Sequence, residues 1–172
     1  AVSIRRTRTA PATLVPRRLA LGVGCERGLP AEDLAALVDE VLAQHDLDPA
    51  ALGVVVSLDL KAGEPAVRAL ADRLGVAARF FDAATLEAET PRLATPSEAV
   101  FREVGCHGVA EGAALAAVGA AGRLLVPKAK GERSTVAVAE APAPLDARRI
   151  GRSGGRLWLR SEEHTSELQS LL

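Results

Sequence analysis

A chain of 172 residues, 48% apolar and 25% charged with a net charge of −1, has the makeup of one soluble globular domain plus some extra length. That charge exerts no global pull on nucleic acid or an anionic membrane, and three Phe, one Trp and no Tyr offer little for stacking bases, so neither partner is expected. Cys25 and Cys106 are too few for a disulfide framework and suit a reducing cytoplasm, while no apolar run nears the roughly 18–20 residues that span a bilayer.

Residues 1–18 carry Arg5, Arg6, Arg8, Arg17 and Arg18 with Pro11 and Pro16 and no acidic residue, and read as a basic linker. "RLALGVG" is a short apolar run ended by glycines, a buried strand. Leu34, Leu37, Val38, Val41 and Leu42 then recur at helical spacing, with Pro30 at the first helical position and Asp39 and Glu40 on the wet face. "LGVVVSLD" is continuous and β-branched, a strand buried on both faces. Glu64–Leu74 is helical again, started by Pro65 and stopped by Gly75. "VAARFFD" predicts a third strand, Thr95–Val104 a helix opened through Thr-Pro-Ser-Glu, and Val109–Val118 an alanine-rich helix. "RLLVPKAK" and "STVAVAEA" form a hairpin about Gly131 and Glu132. The order β-α-β-α-β-α-α-β-β implies one compact α/β domain over residues 19–140, with a mixed sheet of about five strands, helices packed on it and a closing antiparallel hairpin.

"GVGCERG", Gly22–Gly28, sits where phosphate-cradling loops sit. Its Gly-x-Gly-x-x-x-Gly spacing is one residue longer than the dinucleotide fingerprint, and Glu26, Glu32 and Asp33 would oppose a phosphate at the helix start. The glycines are expected to be turn residues at a ligand-facing sheet edge, with a nucleotide-binding module as the weaker alternative. Cys25 reads either as a thiol activated by the helix start and Arg27 or as a small buried cysteine, and free Cys favours burial. Cys25, Cys106 and His107 lack paired-ligand spacing, so no metal site is expected, and no cofactor. Asp59, Lys61 and Glu64 follow the second strand, and Lys128, Lys130 and Arg133 mark the hairpin. Lysines at such mouths suit carboxylates or phosphates, against the reading that they are solvated strand ends.

Taken in order, "LALGVGCERGLPAEDLAALVDEVL", "SLDLKAGEPAVRALADRLG", "FFDAATL", "TPSEAV", "GVAEGAALAA" and "RLLVPKAKGERSTVAVAEA" resemble the C-terminal domain family shared by CbiG and CobE, from about Arg18 to Glu140. The resemblance implies a cobalamin-biosynthesis domain, either alone or appended to the cobalt-precorrin hydrolase that opens a lactone on the contracted ring and releases acetaldehyde. Two roles are open under it. One is accessory binding of a corrin-ring intermediate, a polycarboxylate tetrapyrrole, alongside other cobalamin-biosynthesis domains. The other is a direct part in lactone hydrolysis, with Cys25, Lys61 or Glu64 as base or nucleophile. The motif positions carried over as ligand-binding are Gly22, Gly24, Cys25, Arg27 and Gly28, then Asp59, Lys61 and Glu64, then Ser97, Glu98, Glu111, Lys128 and Lys130. The chain departs from the pattern at Cys106-His107-Gly108, where members often carry a serine.

Residues 141–159 return to Pro, Gly and Arg and read as a linker, with Gly154–Leu159 resembling the first strand of a fused precorrin methyltransferase. Residues 160–172 back-translate through "RSEEHTSELQS" to a common short-read sequencing adapter and read as an assembly artefact. With no methionine even at position 1, the sequence is expected to be cut from a longer reading frame.

Overall fold

The computed structural model describes residues 15–154. Most of the basic linker, the methyltransferase-like strand beyond Gly154 and the adapter-like tail lie outside the described residues. Strand β1 (Leu19–Cys25) leads through α1 (Ala31–Gln44) to β2 (Leu52–Leu58), and α2 (Pro65–Leu74) leads on to β3 (Ala77–Phe81). Three helices follow, α3 (Ala83–Glu87), α4 (Glu98–Val104) and α5 (Ala110–Val118), before the hairpin of β4 (Arg123–Lys130) and β5 (Ser134–Glu140). The five strands form one mixed sheet in the order β3-β2-β1-β5-β4, parallel from β3 to β1 and antiparallel from β1 through β5 to β4.

The helix signals in the sequence operate with small shifts. The five apolar residues of α1 are all buried, and Pro30 is the cap residue, one place before the first helical position. Helix α2 begins at Pro65 and stops at Gly75, whose φ of 71° is the left-handed conformation that glycine enters without a Cβ clash. The Ser97 hydroxyl accepts from the Val100 N–H at 3.3 Å, so α4 starts at Glu98, three residues later than expected; a proline at 96 disfavours helical backbone at the residue before it. Helix α3 was not foreseen. It is five residues long with one buried side chain, Leu86, too short for a periodicity, and the carboxylate of Asp82 caps it by accepting from the Thr85 N–H at 2.8 Å.

The sheet is covered on both sides. Leu19, Leu21, Val23 and Cys25 of β1 join the core layer under α1 and α2, and Val136 and Val138 of β5 do the same. The opposite face of these strands carries Ala20, Gly22, Gly24 and Ala139 and receives α5. Nearly the whole circumference of α5 is buried, which its Ala, Gly, Leu and Val permit and which takes in one charged residue, Glu111. Gly22 and Gly24 therefore lie within the central strand and make room for a helix. The expectation that they form a turn at the sheet edge is corrected; only Gly28, with φ 78°, is a turn glycine of that motif.

Two features depart from a regular sheet and its linker. Pro127 sits in β4, an edge strand where a missing N–H is tolerated, and the β4–β5 register shifts on either side of Val126, the second shift spanning Pro127. The segment after β5, expected to be a linker, packs back on the domain over residues 141–154. Ala141 N–H donates to Arg18 O at 2.8 Å, Ile150 is buried, and Arg152 and Phe80 exchange backbone hydrogen bonds of 2.9 Å along the free edge of β3. Among the described residues no helix is long and apolar enough to cross a membrane.

Candidate functional site

The carboxyl ends of β1 and β2, helix α4, the start of α5 and the β4–β5 hairpin enclose a half-open cleft of about 620 Å³. This is the crevice outside the strand ends where open α/β sheets hold ligands. Gly24, Cys25 and Leu58 form its floor, Val100 and Val104 of α4 an apolar wall, and Lys128, Lys130 and Thr135 the opposite rim.

Most of the residues singled out in the sequence meet here. Arg27, Lys61, Ser97 and Glu111 join Gly24, Cys25, Lys128 and Lys130 around the cleft, whereas Gly22, Gly28, Asp59, Glu64 and Glu98 do not line it. Gly22 lies beneath α5. Gly28 and Glu64 are bound to each other, the Gly28 N–H donating to Glu64 Oε2 at 3.0 Å. A carboxylate of the chain itself thus stands where a phosphate-binding loop would present this N–H, which removes the basis of the nucleotide reading. Asp59 is turned toward Asp82 and Arg152; burial, then the Asp82 charge, raises its pKa, with Arg152 opposing. Glu98 is an exposed residue of α4 bonded to His107 at 3.1 Å.

The charges in the cleft are unevenly matched. Arg133 pairs with Glu26 at 3.1 Å. Arg27, Lys61, Lys128 and Lys130 form no ion pair among the described residues, and Glu103 and Glu132 are the lining carboxylates left to face them. Glu111 is fully engaged: it is 2% exposed and accepts from the N–H groups of Ala94 (2.9 Å), Thr95 (3.1 Å) and Lys128 (2.7 Å) and from the Thr95 hydroxyl (3.0 Å). Burial pushes its pKa up, yet these donors outweigh burial and hold it below the ordinary carboxylate value. Glu111 is therefore a tie between α5, the loop before α4 and the hairpin.

Residues 19–139 match the family described as "Cobalamin synthesis G C-terminus". The chain belongs to this family. Protein CobE of Sinorhizobium sp is 50% identical over 139 residues, covering 81% of this chain and 90% of that protein. A cobalt-precorrin-5A hydrolase of Priestia megaterium is 30% identical over 127 residues, and the match takes in 74% of this chain but only 33% of the hydrolase. A crystal structure of CobE, "a protein from the cobalamin (vitamin B12) biosynthetic pathway", superposes with a TM-score of 0.65 at 37% identity over 73% of this chain and 92% of that one. The domain is a cobalamin-biosynthesis domain of the CobE and CbiG C-terminal type.

Within this family frame the departure at Cys106-His107-Gly108 has a structural content that spacing did not reveal. Helix α5 has no side-chain cap, and Cys106 is wholly buried. His107 lines the cleft and its ring lies between Glu87 and Glu98. No sequence signal pointed to this, because Glu87 belongs to the unforeseen α3 and lies 20 residues away. Thr95 and Thr135, which also line the cleft, lie within the quoted motifs but were not among the site residues expected from them, whereas Arg133 of the hairpin cluster does reach the cleft. Cys25 and Cys106 belong to core layers on opposite faces of the sheet, so the residues weighed for zinc are not gathered.

Cys25 is 8% exposed, and burial raises its pKa, Lys61 drawing it down and Glu64 pushing it up. The thiol is held protonated, the opposite of an activated nucleophile. At pH 8 iodoacetamide is expected to label Cys25 at least about tenfold more slowly in the folded domain than in the denatured chain. Peptide mass spectrometry against time checks this; equal rates would mean an accessible thiolate.

Proposed function

We propose that the family cleft of this domain binds a corrin-ring intermediate of cobalamin biosynthesis through the carboxylates on its rim. The observation that carries the reading is the convergence of Arg27, Lys61, Lys128 and Lys130, which form no ion pair among the described residues, on a cleft that also has an apolar wall. A tetrapyrrole of this pathway pairs a ring of apolar faces with acetate and propionate side chains. Its carboxylates would meet the cations while one ring face lies on Val100, Val104 and Leu58. The half-open shape suits gripping one side of the ring and presenting the other to a further cobalamin-biosynthesis domain, in the same polypeptide or a separate one.

Direct participation in lactone opening finds less support among the residues considered for it. Glu64 is bound to the Gly28 N–H, and the Cys25 thiol is protonated, which leaves Lys61 as the cleft residue with a free functional group.

Visible-absorbance titration with a corrin polycarboxylate tests the binding reading. The variant K61A/K128A/K130A should bind at least about 100-fold more weakly, since each sheltered charged hydrogen bond contributes roughly 1.5–3 kcal/mol. Wild-type affinity should fall as salt is raised. Affinity that the three substitutions leave unchanged, or that salt does not alter, would overturn the lysine rim. Mononucleotides and dinucleotides serve as controls and should not raise the melting temperature.

A further inference from the structure

Helix α4 is attached to the rest of the domain in an unusual way. None of its seven residues is buried, yet Ala99, Val100, Glu103 and Val104 form a wall of the cleft. Pro96 precedes its cap residue, and Gly105 ends it with a φ of 86°. Val104 packs on the core layer beneath α5, and among the described residues the helix's polar and ring contacts to the body run through a single residue. The Ser97 N–H donates to the His107 carbonyl at 2.8 Å, Glu98 Oε2 lies 3.1 Å from His107 Nε2, and Phe101 stacks on the imidazole at 4.4 Å between centroids and 15° between planes.

His107 is in turn held firmly from α3. Glu87 accepts from its backbone N–H at 2.9 Å and lies 2.9 Å from Nδ1 through each carboxylate oxygen. Both ring nitrogens therefore face carboxylates. A neutral imidazole carries one N–H and one lone pair, so it can satisfy only one of them; an imidazolium donates to both. When the proton leaves, Glu87 keeps its N–H partner because it also holds the backbone, and the Nε2 lone pair is turned on Glu98. The charged groups that meet the ring are Glu87 from α3 and Glu98 from α4. The neighbouring Cys106 thiol is kept protonated by burial, with the Glu87 charge also pushing its pKa up and only the Gly108 N–H opposing.

From this geometry we infer that α4 is a cover on the cleft, latched shut by the imidazolium form of His107 and released when that proton is lost. His107 is then a positioning residue that couples pH to ligand retention. Electrostatics agree in sign. The Glu87 hydrogen bond leads in raising the His107 pKa above its ordinary 6.5, so the latch is complete below that value and is lost as pH rises through the higher folded-state pKa. The same bond lowers the Glu87 pKa below 4.5, so at the acid end the latch fails only as pH falls through that depressed value.

What the cover does for the ligand rests on the binding reading above; the latch itself does not. Hydrogen–deuterium exchange of residues 97–105, corrected for intrinsic exchange, is measured at pH 6 and pH 8.5 on wild type, E98Q and H107Q. Wild-type protection is expected to fall by about tenfold or more at the higher pH. In E98Q the amide can donate to Nε2 of neutral His107, so protection should be retained at both values, and H107Q should be weakly protected at both. Corrin polycarboxylate release followed by absorbance should accelerate between the two pH values in wild type and not in E98Q. Wild-type α4 protection independent of pH, or E98Q behaving as wild type, would overturn the latch. The expected exchange pattern with no corrinoid bound would leave the latch standing and remove the binding reading instead.

Discussion

Replacing Glu111 by alanine is expected to destabilise the domain by about 4 kcal/mol, a fall in melting temperature on the order of 10–15 °C for a domain of this size. The carboxylate accepts from three backbone N–H groups and one hydroxyl. Its removal leaves those donors without their acceptor, the Lys128 N–H beside Pro127, at 2.7 Å, among them. Glutamine is the informative variant. Its carbonyl can keep the Ala94 and Thr95 N–H bonds, but its amide would then face the Lys128 N–H, donor against donor, so E111Q should lie roughly midway between wild type and E111A. Denaturant titration at pH 7 measures the order. A pH series adds an independent check. Because the folded-state pKa of Glu111 is depressed below 4.5, its stabilisation is fully present above that value and is lost as pH falls through the depressed one. E111Q should lack this part of the acid dependence. Equal stability of all three proteins would show that the four hydrogen bonds do not tie the hairpin to α5.

Gly22→Ala should be comparably severe, at about 3 kcal/mol or more, and for a steric reason. A Cβ there would stand 2.0 Å from the carbonyl oxygen of Ala110, 2.9 Å from its carbon and 3.0 Å from the Ala114 nitrogen, all backbone of a buried helix. No rotamer change relieves it; α5 itself must rise from the sheet, and with it Glu111 and the cleft wall. The neighbouring glycines make a graded control. At Gly24 the nearest contact is the Thr135 hydroxyl oxygen at 2.9 Å, which can rotate away, and at Gly28 nothing lies within 4 Å although φ is 78°. Each of these substitutions should cost about 1–2 kcal/mol. Chemical denaturation of G22A, G24A and G28A in parallel tests the ranking, and a G22A protein as stable as wild type would refute the close packing of α5.

These two residues also show where the sequence could be read and where it could not. Gly22 was singled out, but as a turn residue facing a ligand. Strand β1 alternates Leu, Ala, Leu, Gly, Val, Gly, Cys, and that alternation encodes one bulky and one small face. Its meaning depends on which helix lands on the small face, and α5 arrives from almost ninety residues later in the chain. Glu111 was singled out by motif resemblance, as a ligand-binding position and not as a tie within the fold. Its partners at 94, 95 and 128 lie 16 or 17 residues away, on segments that only the folded chain brings together. His107 was passed over as a ligand-binding position. Its partner Glu87 lies on a five-residue helix whose single buried side chain leaves no periodic trace.

What the sequence by itself determined is local and repetitive. The 3.6-residue stripe of α1, the two-sided apolar run of β2, the hydroxyl cap of α4, the glycine stop of α2 and the closing hairpin all follow from neighbours a few residues apart. Lysines placed at strand ends also announced the cationic rim, since strand ends are where an α/β sheet opens to solvent. The tertiary structure alone decided which of those groups share a cleft and which hold one another. Gly28 with Glu64, Glu111 with the hairpin and His107 between two carboxylates are pairings over long loops. Their reason is physical: a buried or constrained polar group is satisfied by whatever partner the topology delivers, and that delivery is a property of the whole fold.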